Sequence, residues 1–142
     1  MIMKNLMFKM LTALTLVSCF AIAQAGTVVV AGKSSPIAAA SEDDVVKAFL
    51  GKKKDLGGVS VIPVDQGEGN PARNDFYTAT VKKSEAQLKS YWSRLIFTGK
   101  GQAPQVVGGD AEVKNMVSSN PNILGYIDES AVDGTVKVIF KP

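Results

Sequence analysis

Apolar positions recur along this chain with two periods, and the switches between them outline its elements. After Ser84, Leu88, Tyr91, Trp92, Leu95 and Ile96 follow at spacings of three and four, one stripe of a helix over 84–97. Ser84 with Gln87 forms a capping box at its start, and Gly99 and Gly101 stop it. Val45, Val46, Phe49 and Leu50 mark a helix over 41–50, capped by Ser41, led by Glu42, Asp43 and Asp44, and closed by Gly51. Asn70 and Pro71 are a cap and a first helical residue for 71–81, which carries Phe76 and Tyr77 inward. Val113, Met116 and Val117 give a fourth helix over 110–119, ended by Asn120-Pro121-Asn122.

The remaining apolar runs are short and β-branched, and they predict strands near 27–31, 59–64, 123–127 and 135–140. Thr27–Ala31 is apolar nearly throughout, as in a strand of a parallel sheet covered on both faces. Pro63 places the end of its strand near a sheet edge, and Gly125 in mid-strand predicts the close approach of another group. The fold class is α/β, a mixed sheet flanked by helices.

Composition narrows the chemistry. Lys4 and Lys9, the apolar Met10–Ala23 and the small-x-small Ala23-Gln24-Ala25 read as an export signal over 1–25, leaving one domain over 26–142. Leu16-Val17-Ser18-Cys19 also resembles a lipoprotein cleavage site, which would instead leave an acylated Cys19. After cleavage at Ala25 the chain has 117 residues, no His and no Cys. It therefore lacks the usual nucleophile-base pairs and thiolate or imidazole metal ligands, and the expectation is a non-enzyme without cofactor or metal. Removing Lys4 and Lys9 from the 16 basic residues leaves 14 against 13 acidic ones, so a nucleic-acid partner is not indicated. Lys52-Lys53-Lys54 reads as a solvated helix end. Gly99-Lys100-Gly101 and Gly108-Gly109-Asp110 lack the spacing of a P-loop and read as turns.

Phe49-Leu50-Gly51-Lys52, then Tyr91-Trp92 through Phe97-Thr98-Gly99, then Asn120-Pro121 and Ile123-Leu124-Gly125-Tyr126 resemble, in that order, the periplasmic phosphate-binding proteins of ABC importers, and most closely a short subgroup of them. The resemblance covers most of residues 27–127 and implies a single lobe like half of a type II periplasmic binding protein. It also implies an exported solute-binding module with a phosphate or similar oxyanion ligand and a membrane transporter or sensor as partner.

Two loops are candidates for the ligand. In open α/β sheets ligands sit beyond the carboxyl ends of strands, which points to Gly32, Lys33, Ser34 and Ser35 after the first strand. Gly69 and Asn70 at a helix start offer backbone amides, and Arg73 one turn on could close over an anion with two donors. The family usually has an Arg and an Asp-Gly-Ser-Gly-Thr turn here. Asp65 and Glu68 stand in this turn instead, and Arg73 could equally be held in an ion pair by Asp75 or the acidic loop. Binding is therefore expected to be weak, millimolar to micromolar. The competing reading is an envelope interaction module whose anion site has degenerated and which docks on a membrane sensor or assembly.

Overall fold

The computed structural model describes residues 26–142, and the predicted export signal with Cys19 lies outside them. The described chain runs β1 (Thr27–Gly32), α1 (Glu42–Phe49), β2 (Asp55–Leu56), β3 (Val59–Ser60), β4 (Ile62–Gln66), α2 (Pro71–Phe76) continuing into a π-helical turn (Tyr77–Val81), α3 (Glu85–Phe97), β5 (Gln105–Val107), α4 (Asp110–Ser119), β6 (Ile123–Asp128), a short 3-10 turn (Glu129–Ala131) and β7 (Val136–Phe140). Among the described residues no helix is long and apolar enough to cross a membrane.

Five strands form one mixed sheet in the order β5-β4-β6-β1-β7. β4 is parallel to β5 and β6, whereas β1 is antiparallel to both of its neighbours, β6 and β7. β1 is buried on both faces as its composition requires, yet it is not part of a parallel arrangement. Alternation along β1 sends Val29 and Ala31 to one face and Val28 and Val30 to the other. The first face is covered by α1, α2 and α3 and is rich in aromatic rings; the second is covered by α4 and is aliphatic.

The predicted strand 59–64 divides in two. Val59–Ser60 pairs with Asp55–Leu56 as a separate hairpin turning at Gly57 and Gly58, both with positive φ, and Ile62–Gln66 enters the main sheet. Pro63 is tolerated inside β4 because pairing with β5 begins only at Val64, so its missing N–H interrupts no ladder on that side. β5 itself, three residues between Pro104 and Gly108, has too little pattern to be read from sequence.

The helix predicted over 71–81 keeps its α geometry only to Phe76. The π-helical turn then brings Tyr77, Thr80 and Val81 into the core, and Lys82, with φ 59, ends it. In α3 the capping box of Ser84 and Gln87 is present, Leu88 and Trp92 are buried, and Ile96 and Phe97 are exposed. Ile96 thus departs from the predicted stripe. Gly125 allows the close approach expected of it: a Cβ there would lie 2.3 Å from Val113 of α4.

Candidate functional site at the carboxyl edge of the parallel strands

The parallel strands β4 and β5 end side by side, with Gln66 opposite Val107, so the turns that follow them meet. The Gly67–Asn70 turn leads into α2, where the Asn70 side chain accepts from the Ala72 amide at 3.1 Å. Gly108 and Gly109 lead into α4, and the Asn70 amide nitrogen lies 3.9 Å from where a Cβ of Gly109 would stand. Two helix starts therefore adjoin, the arrangement from which an anion site is built.

Most polar groups beneath this edge are already matched to one another, the buried Gln66 Oε1 being left without a partner among the described residues. Asp65 is buried, and its Oδ2 accepts from Arg73 Nη1 at 2.8 Å and from the Tyr77 hydroxyl at 2.7 Å. Its Oδ1 accepts from the Gln66 amide at 2.8 Å and from the Tyr126 hydroxyl. Arg73 is equally committed. Nε and Nη2 grip Glu85 at 2.6 and 3.1 Å, Nη1 also reaches the Gln66 carbonyl at 2.9 Å, and the guanidinium carbon lies 5.0 Å from the centre of the Tyr77 ring. A buried carboxylate needs such partners, since ionised groups are costly to remove from water unless paired and hydrogen-bonded.

The ionisation equilibria follow this matching. Burial, and then the negative charge of Asp65, push both tyrosine hydroxyls upward, so Tyr77 and Tyr126 remain donors. Burial works against the charge of Arg73, but the hydrogen bonds it donates to Glu85 and the charge of Asp65 outweigh it and raise its pKa. The Arg73 hydrogen bond holds the Glu85 carboxyl below its usual range.

The start of α4 is filled in the same manner. Glu112 turns back so that its Oε2 accepts from the Gly109 amide at 2.8 Å, and this bond lowers the Glu112 pKa. Gln66 Nε2 donates to Asp110 Oδ1 at 2.9 Å and to the Tyr126 carbonyl at 2.8 Å. Glu68, Asp110 and Glu112 line the edge, with Lys89 4.0 Å from Glu68. Carboxylates occupy the donors that an external anion would use.

The predicted site residues fall in two places. Gly69, Asn70 and Arg73 belong to this edge. Gly32, Lys33, Ser34 and Ser35 lie at the opposite end of the sheet, because antiparallel β1 pairs Ala31 with Leu124 and Thr27 with Asp128. Strand rise over β1 separates the two ends by about 17 Å, so the two loops do not converge on one ligand. Gly32 is instead required for packing, a Cβ there meeting the Val117 carbonyl at 2.2 Å. Ser35 is buried and accepts from the Ile37 amide at 3.2 Å, while its carbonyl accepts from Lys137. Lys33 and Ser34 are exposed. Arg73 takes the ion-pair alternative, with Asp65 and Glu85; Asp75 accepts from the Thr27 amide at 2.8 Å.

Sequence reasoning missed Gln66, Tyr126, Glu85 and Glu112 as parts of this edge. Asp65 and Gln66 closing the apolar strand after Val64 were the available signal, because a charge at a core position requires a partner elsewhere in the chain.

No protein-family model matches the chain, and no curated protein matches it significantly. Solved structures do. An ABC-type phosphate transport receptor from Vibrio cholerae superposes with a TM-score of 0.64 at 17% identity, over 80% of this chain and 45% of that one. A protein described as a phosphate ABC transporter substrate-binding protein, with bound phosphate, from Clostridium perfringens gives 0.62 at 20% identity, over 80% and 44%. PstS from Borrelia burgdorferi gives 0.55 at 15%, over 73% and 40%. The chain spans less than half the length of these structures. Its fold is that of a periplasmic binding protein lobe.

Proposed function

We propose that this chain is an exported module of the solute-binding type, a single domain over 26–142, whose carboxyl edge is closed by its own side chains. In this reading it works by docking on a membrane transporter or sensor rather than by scavenging a solute. The observation that carries the reading is the commitment of Arg73: its donors are spent on Asp65, Glu85 and the Gln66 carbonyl. An incoming phosphate would have to break these charge-assisted bonds, each worth roughly 1.5–3 kcal/mol, while facing Glu68, Asp110 and Glu112. Calorimetry with phosphate and sulfate at millimolar concentration tests it. No heat is expected, and a saturable phosphate isotherm for the unaltered chain overturns the closed-edge reading.

A second reading has one observation in its favour, the adjoining helix starts at Asn70 and Gly109. Here the edge holds phosphate or a similar oxyanion weakly, in connection with ABC-type uptake or sensing, and Glu112 acts as the anion's competitor. Glu112→Ala releases the Gly109 amide and removes a charge. Under this reading phosphate affinity rises at least tenfold in the variant; under the first it stays undetectable at millimolar ligand.

A further inference from the structure

The other end of β4 carries a recess that the function above does not use. It holds about 320 Å³, within the range of small-ligand pockets, and lies between the loop after α1, the start of β4 and the segment leading into β5. Ile62, Pro63, Ala103 and Pro104 give it its accessible apolar surface, over a floor of buried Phe49 and of Trp92, the only tryptophan of the chain. Gly51, with φ 72, and Gly101 lie against the indole ring, at 3.3 and 4.0 Å measured from a built Cβ, so both adjacent loops are drawn close over it.

The rim is cationic. Lys53 and Lys54 border the recess, and Lys54 also borders a second, more polar hollow of about 550 Å³, reached across Gly51 and Gln102, where Lys100 stands. Lys53 is paired with Asp44 at 2.8 Å, whereas neither Lys54 nor Lys100 makes a salt bridge among the described residues. Lys54 and the Gly99-Lys100-Gly101 turn, sequence features without a role so far, thus meet at the polar hollow, and Lys54 also borders the adjoining apolar recess.

We propose that this recess is a binding site for a small amphiphilic anion, an apolar body carried by a carboxylate or similar head group. The body lies on Ile62, Pro63 and Ala103 above the buried Trp92, and the head group is held by Lys54 where the recess joins the polar hollow in which Lys100 stands. Apolar lining alone would select for any hydrophobe; the two unpaired ammonium groups add the requirement for negative charge. The site is at the far end of β4 from Asp65 and Arg73 and does not depend on how the carboxyl edge is read.

Decanoate below its micellar concentration is the probe, with Trp92 fluorescence as the readout. Decanoate is expected to shift the emission saturably, decanol to bind more weakly, and inorganic phosphate to change nothing. Lys54→Ala with Lys100→Ala should weaken decanoate roughly tenfold, the effect of losing a charge-assisted contact, and leave decanol unchanged. Ala103→Phe, which fills the recess from its exposed rim, should abolish the response while circular dichroism stays that of the parent. A flat titration overturns the proposal, as does equal affinity for decanol and decanoate. So does a shift produced by phosphatidylglycerol vesicles but not by free decanoate, which would make the patch a lipid-surface contact.

Discussion

The two faces of the sheet are built on different principles. On the α4 side the core is Val28, Val30, Val64, Val113, Val117, Ile123, Ile127 and Val136, the buried Gln66 amide at its end donates to Asp110, and the helix is drawn in at Gly32 and Gly125. On the other side Phe76 stacks on Tyr126 with centroids 4.3 Å apart, Phe49 meets Phe76 edge-on at 4.8 Å, and two tyrosine hydroxyls must find acceptors. Asp65 supplies them. The aliphatic face is specified mainly by shape, the aromatic face by shape and by one buried charge that orients the rings around it.

Removing that charge is expected to give the largest effect. Asp65→Ala takes the acceptor from two buried tyrosine hydroxyls and one of several acceptors from Arg73, a loss of about 3–5 kcal/mol, a large share of the stability of a domain this size. Urea unfolding measures it, with Asp65→Asn as the milder variant should the alanine form not accumulate. A loss below about 1 kcal/mol would show that the aromatic face stands by packing, as its counterpart does.

Crowding the aliphatic face comes next. Gly125→Ala places a methyl 2.3 Å from Val113 Cγ1 and should cost about 1–3 kcal/mol. Adding Val113→Ala should recover part of the loss, and a double-mutant cycle reads the coupling. Strict additivity would mean that the strain lies elsewhere.

The smallest effect concerns the acid sensitivity contributed at the rim of the aromatic face. Glu85 has a folded pKa below its unfolded value, so its contribution is complete above the ordinary carboxylate range and is lost as pH falls through the lowered folded value. Glu85→Gln should flatten the acid side of the stability profile, by about 1 kcal/mol or less for a partly exposed group. An unchanged profile would remove Glu85 from the balance.

The elements were legible where the sequence carries period and punctuation together. Ser41, Asn70 and Ser84 cap α1, α2 and α3 as read, and the β-branched runs found β1 and β6. Strand direction was not legible, because a run buried on both faces has the same composition in either orientation, and that ambiguity placed the Gly32–Ser35 loop at the wrong end of the sheet. Arg73 was recognised as a residue of the site, but its partner Glu85 stands in the first turn of a different helix, where an acidic residue is sufficiently explained by the dipole. Ile96 follows the helical period and is nevertheless exposed, because α3 runs past the end of the core it covers.

β1 opens the described chain, yet its hydrogen-bonding neighbours are β6 and β7, roughly a hundred residues downstream. Until those late segments exist, the earliest strand has nothing to pair with, and the central ladder cannot close. High contact order of this sort slows folding. A chain wired in this way keeps its central ladder open until β6 and β7 have been made.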